Sequence, residues 1–158
     1  MRYCKKHLQG HNSLTGRRTH CAAQHLRYDN MKKESLYIEF KSQRKRAADC
    51  TVRALMKLLE ITWVEAYDEL CKQGRKQMRM PNEMPCVAAV VESYGYKKQS
   101  IPVVKGSKRP TVAAFAAHYK QGRYLLNVAN HVVACVDGHY YDSWDCGEKC
   151  VYNYWEGK

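Results

Sequence analysis

The chain has 158 residues, 45 % of them hydrophobic, which suits one compact domain with its own core and excludes a disordered or fibrous chain. No apolar run approaches the roughly 18 residues of a membrane span. The opening Met1-Arg-Tyr-Cys-Lys-Lys-His7 lacks the apolar segment of a secretory signal, so the expected compartment is a reducing cytoplasm, with no membrane partner. The eight cysteines at 4, 21, 50, 71, 86, 135, 146 and 150 are then expected as free thiols rather than a disulfide framework.

The net charge of +12 is unevenly spread: residues 1–48 carry 12 Lys/Arg against 3 Asp/Glu, and residues 49–158 carry 15 against 12. Residues 1–34 are polar, basic and without helical or strand periodicity, and are expected as a poorly ordered extension. Weak nucleic-acid contact is expected only there, where Lys/Arg can meet phosphates. Cys4, His7, His20, Cys21 and His25 offer donors but match no zinc-ligand spacing. Met31 would also serve as a start.

Residues 35–158 read as the folded domain. Leu36, Ile38 and Phe40 alternate with polar neighbours and predict a half-buried strand. A basic loop, Ser42-Gln-Arg-Lys-Arg46, leads into Asp49-Cys50-Thr-Val-Arg-Ala-Leu-Met-Lys-Leu-Leu59. There, Val52, Leu55, Met56 and Leu59 fall at helical spacing, with Asp49 as the expected N-cap. Thr62-Trp-Val-Glu65 is a capping box. It opens a helix with Trp63, Ala66, Tyr67 and Leu70 facing inward and Gly74 closing it. A third helix runs from Asn82-Glu-Met-Pro85 to about Ser93, ended by Gly95. A short strand follows over 96–104, then a helix from Val112 to Tyr119 capped by Thr111. Strands are predicted at 123–128, 131–137 and 139–144, with another over 151–155. Helices first and an antiparallel sheet last predict an α+β fold.

Two stretches carry chemistry. Cys50 opens a helix, where the positive end of the macrodipole favours the thiolate, the nucleophilic form. Asn130-His131-Val-Val-Ala-Cys-Val-Asp137-Gly138-His-Tyr-Tyr-Asp142-Ser-Trp144 is a hairpin with an Asp-Gly turn. That turn brings Asp142 back toward the His131 region. Thiol, imidazole and carboxylate are the nucleophile, base and orienting group of acyl-transfer catalysis. From the residues alone the carboxylate is open among Asp142, Asp145 and Asp137, although the turn itself accounts for Asp137. Cys50 also reads as a small buried hydrophobe, and His131 as a strand residue bonded to a carbonyl. Cys71, Cys86 and Cys135 lie on apolar faces. Cys146 and Cys150 with Cys135 form no known metal pattern, and no cofactor is implied.

The pattern D-C-T-V-R-A-L followed by N-H-V-V-A-C-V-D-G-x-x-Y-D-S-W, spanning Leu36 to Trp155, resembles the small papain-like cysteine peptidase-type proteins of bacteriophages. More distantly it is similar to the double-glycine leader peptidases that process bacteriocins. The resemblance implies a papain-like fold with Cys50 as nucleophile, His131 as general base and Asp142 orienting the imidazole. It also implies an oxyanion hole made by the Cys50 amide and an upstream Gln, for which Gln43 is the residue at hand. The chain departs from the plant-enzyme pattern in lacking C-G-S-C-W around the nucleophile and in having Asp where Asn is usual. The implied activity is a peptidase or amidase acting on a peptide, amide or isopeptide bond. The alternative is an inactive scaffold of the same fold whose basic arm binds nucleic acid or a host factor.

Overall fold

The computed structural model describes residues 35–41, 48–102, 106 and 108–157, within the compact unit Ser35–Lys158. Its elements in chain order are β1 (Tyr37–Glu39), α1 (Cys50–Leu59), α2 (Trp63–Gln77), α3 (Met84–Ser93), β2 (Lys97–Ser100), α4 (Val112–His118), β3 (Arg123–Val128), β4 (His131–Val136), β5 (His139–Asp142) and β6 (Asn153–Glu156). The six strands form one sheet in the order β1-β5-β4-β3-β6-β2. The fold is α+β.

The sheet is covered on both faces, and strand periodicity of two divides its residues between two cores. Leu125, Val132, Ala134 and Trp155 pack with Val52, Leu55 and Leu58 of α1, Ala66 and Leu70 of α2 and Val87, Val90 and Val91 of α3. The alternate residues Leu126, Val133, Cys135 and Tyr154 pack with Val112, Phe115 and Ala116 of α4. Double coverage is why β4 reads as an unbroken apolar run instead of an alternating one. Each fully buried Leu, Val or Phe contributes about 1.5–3 kcal/mol relative to exposure.

Helix α1 is more deeply enclosed than its sequence spacing predicts. Thr51 through Leu55 and Leu58 are buried, while Met56 and Leu59 are only partly so. A helix lying over a central strand with other helices beside it hides more than one stripe. Its capping also differs from expectation. Asp49 occupies the N-cap position with ψ 31° and makes no side-chain cap. That backbone angle lies outside the extended region from which a carboxylate reaches the first-turn amides. The carboxylate turns instead to Arg53 and to Trp63, whose Nε1 donates to Oδ2 at 3.1 Å.

The capping box of α2 forms as predicted: Glu65 N–H donates to Thr62 Oγ1 at 3.3 Å and Thr62 N–H donates to Glu65 Oε2 at 2.7 Å. Gly74 does not end that helix, which continues to Gln77 and closes on Met78 in the left-handed conformation. Gly74 is there because the chain doubles back against it. A Cβ at this position would stand 2.9 Å from the Arg79 carbonyl oxygen. Tyr67, expected inside, is 44 % exposed and stacks on Trp63 with ring centroids 5.0 Å apart.

Two strand expectations are also corrected. The sheet is mixed, not purely antiparallel, because β1 runs parallel to β5 with Tyr37 opposite Tyr140 and Glu39 opposite Asp142. As an edge strand β1 lacks a neighbour on one side, and Ile38 is left 36 % exposed rather than inside. Of the strand predicted over 96–104, Lys97–Ser100 is observed, and 103–104 lie outside the described residues. Residues Asp137 (φ 49°) and Gly138 (φ 78°) both take positive φ, the two-residue turn whose twist matches that of the flanking strands.

Candidate functional site

Cys50 stands at the first position of α1, half-buried, and His131 at the first position of β4. Helix α1 packs against β4, and it is the starting ends of these two elements that bear the side chains. Both residues line the same cavity of about 670 Å³, together with Thr51, Asn82, Met84 and Asn130. Among the described residues, the cavity wall therefore presents the thiol, the imidazole and otherwise neutral groups to an incoming molecule.

The thiol and the imidazole interact, and each shifts the other. Burial alone would raise the Cys50 pKa. The hydrogen bond with His131, the imidazolium charge, the Val132 amide and the Arg53 charge outweigh it, leaving Cys50 below its ordinary 9.0. Burial would likewise lower His131, but bonding to Asp142, Cys146 and Cys50 pushes it up from 6.5 to about 11. Both directions favour thiolate and imidazolium together.

Of the three candidate carboxylates, Asp142 meets the imidazole: its Oδ2 pairs with His131 Nε2. The β4–β5 pairing ends at Ala134 opposite Tyr141. One step further sets Asp142 across from Val133, on the same face as His131 and diagonal to it. Asp137 is used by the turn, where its Oδ1 accepts from the Gly122 amide at 3.0 Å. Asp145 accepts from Tyr140 Oη at 2.6 Å and from the Gly147 amide at 2.9 Å. Asp142 is 3 % exposed. Burial disfavours its charge, yet the His131 hydrogen bond and charge and the Ser143 amide hold its pKa below the usual carboxylate value.

Two further side chains complete the cluster, and neither was anticipated from the sequence. Arg53, buried on the first turn of α1, donates from Nη2 to Asp142 Oδ1 at 3.2 Å and pairs with Asp49 through Nη1. The four-residue Asp49–Arg53 spacing, with a cation inside an apolar helix, is a signal that was there to read. Cys146, 1 % exposed, brings its sulfur within 4.8 Å of the His131 and Asp142 donor atoms, and burial raises its pKa. Its spacing from Cys150 suggests only a metal grouping with Cys135, not a place beside His131. Trp144 flanks the imidazole with ring centroids 5.6 Å apart.

The donor atoms of His131, Asp142 and Cys146 lie within 4.8 Å of one another, close enough to be tested as a metal centre. The Arg53 guanidinium on Asp142 opposes a dication there, and the carboxylate is already engaged by the imidazole. The arrangement fits a hydrogen-bonded acid–base pair better than a ligand set. Cys135 and Cys150, grouped with Cys146 from sequence spacing, are not part of it: Cys135 is core and Cys150 is exposed.

Gln43, the basic segment 1–34 with its expected nucleic-acid contact, and the Cys/His donors at 4 to 25 lie outside the described residues. Among the described residues, no helix is long and apolar enough to cross a membrane. Compared with known proteins, the chain matches no protein-family model, no curated protein and no solved structure.

Proposed function

We propose that the protein is a cysteine-dependent hydrolase, a peptidase or amidase of papain-like type such as bacteriophages carry, working through Cys50, His131 and Asp142. The observation that supports this most is a single imidazole that meets a buried carboxylate and lines one cavity with a half-buried thiol at a helix start. Thiol and imidazole face the same open cavity. A core cysteine and a structural histidine have no need of that arrangement.

In the first step the Cys50 thiolate attacks a carbonyl carbon, and the electron pair moves onto the oxygen. The His131 imidazolium then gives its proton to the departing amine as the C–N bond breaks, leaving a thioester on Cys50. Neutral His131 next takes a proton from water, whose oxygen attacks the thioester. The acid leaves, and thiolate and imidazolium are restored. Asp142 holds Nε2, which leaves Nδ1 for the exchange with sulfur and substrate. The Cys50 backbone amide at the start of α1 is the proposed first donor for the developing oxyanion, and Gln43 the proposed second. Loss of one such donor costs on the order of 3–4 kcal/mol in the barrier.

The test is intact mass after exposure to an electrophilic peptide probe at neutral pH. Labelling at one site, lost in Cys50→Ala and slowed in His131→Ala and Asp142→Ala, supports the reading. Unchanged labelling in Cys50→Ala overturns it. A basic extension that binds nucleic acid on an inactive scaffold is the competing reading, favoured by the concentration of charge in residues 1–48. It predicts salt-sensitive nucleic-acid binding that is lost on removing residues 1–34, which leaves β1 and the rest of the sheet in place.

A further inference from the structure

Apart from its charge, which helps to lower the Cys50 pKa, Arg53 takes no part in the steps just described, and its surroundings are unusual for an arginine. Its side chain is 7 % exposed, and it does not line the cavity that holds Cys50 and His131. It therefore has no direct route to substrate. It lies between two buried carboxylates, pairing with Asp49 through Nη1 and with Asp142 through Nη2. Burying such ion pairs adds little net stability over apolar packing of the same volume. The worth of this one lies in what it orients.

We infer that Arg53 is a positioning residue, which fixes the Asp142 carboxylate so that its Oδ2 is presented to His131. The inference rests on the catalytic reading above. A carboxylate is planar, so with the Cβ–Cγ bond set by the strand and one oxygen held, the position of the other oxygen follows. Asp142 Oδ1 accepts from Arg53 Nη2 at 3.2 Å and from the Ser143 amide at 2.7 Å. With Oδ1 held by two donors, Oδ2 is directed at His131 Nε2.

The guanidinium is held in turn. Its other arm meets Asp49 Oδ1, and Asp49 Oδ2 accepts from Trp63 Nε1 at 3.1 Å. A planar fork can bridge two carboxylates in a set geometry, which an ammonium cannot do. The chain of contacts runs from Trp63 through Asp49, Arg53 and Asp142 to His131. Asp49 immediately precedes the nucleophile and Arg53 sits on the same helical turn. Thus the element that presents the thiol also sets the direction of the group that orients its base.

The experiment is a double-mutant cycle on the full chain, read as the rate of Cys50 alkylation by iodoacetamide located by peptide mass. Arg53→Met and Asp142→Ala are each expected to slow Cys50 alkylation by about 10–100-fold. The double variant is expected to be no slower than the slower single one, because both changes remove the same alignment. Arg53→Lys, which keeps the charge but loses the fork, is expected to fall between wild type and Arg53→Met. A purely structural arginine would not give this coupling. Rates that multiply in the double variant, or Arg53→Met alkylating at the wild-type rate, overturn the inference.

If circular dichroism shows that Arg53→Met does not fold, the cycle is run with Arg53→Lys and judged by the same criterion. A wild-type Cys50 that reacts no faster than Cys71 would sink the hydrolase reading and this inference together. A fast, His131-dependent Cys50 with multiplying Arg53 and Asp142 effects would overturn only the positioning role.

Discussion

His131 Nε2 rests against Oδ2 of Asp142, although the two residues stand 11 positions apart on neighbouring strands and are diagonal rather than opposite. A shift of one residue in the β4–β5 register would place these side chains on opposite faces of the sheet. The Asp137-Gly138 turn and the double burial of β4 hold the register, so the contact depends on residues outside the site.

Replacing His131 by Ala removes the base, which is worth about 10²–10⁴-fold in rate. Asp142→Asn keeps the shape but lacks the charge that holds the imidazolium. It is expected to fall between wild type and His131→Ala in probe-labelling rate. Equal labelling by wild type and both variants would count against any catalytic role for the pair.

The acid side of the reactivity profile belongs to Cys50. Because its pKa lies below the ordinary 9.0, alkylation is expected to set in at lower pH than for Cys86, whose burial raises its pKa. His131→Ala removes the largest of the lowering influences and is expected to move the Cys50 midpoint upward. Rates of iodoacetamide capture measured across pH, site by site, check both statements.

Stability should follow the same pair with opposite signs at the two ends of the pH scale. His131 is raised from 6.5 to about 11 in the folded state. Its contribution is thus full below 6.5 and is lost as pH rises through about 11. Asp142 is lowered from 3.8, so its contribution is present above 3.8 and disappears as pH falls through the still lower folded value. Thermal melts of wild type and His131→Ala should therefore differ near neutrality and converge at strongly alkaline pH.

Gly74→Ala is expected to destabilise, although alanine is the better helix former by about 1 kcal/mol. The added methyl would sit 2.9 Å from a backbone oxygen of Arg79 and 3.3 Å from Pro81 Cγ. The backbone cannot yield as a flexible side chain would. Denaturant midpoints decide it, and a rise in the variant's midpoint would refute the close-packing account.

In the core, Leu55→Ala removes a side chain with 0 % exposure between α1 and the sheet, at an expected cost of about 2–5 kcal/mol. Thr62→Ala, which removes only the cap of α2, is expected to cost about 1 kcal/mol. Chemical denaturation of the two variants should rank them in that order.

Local signals in the sequence determined much of this protein. The Thr62–Glu65 box, the Thr111 cap, the Asp137-Gly138 turn and the helical spacing after Cys50 each act within a few residues, so one segment contains all the physics that sets them. The sequence also placed a cysteine at a helix start and a histidine at a strand start, and it narrowed the carboxylate to three. Tertiary structure alone decided which of those acids faces the imidazole, because that follows from register between strands and not from spacing along either. It also decided that Asp49 would abandon its cap for Arg53, and that Arg53 and Cys146 would surround the His131–Asp142 pair. Those contacts join residues up to 89 positions apart. Their energies exist only once α1 has been laid across β4 and water driven from between them.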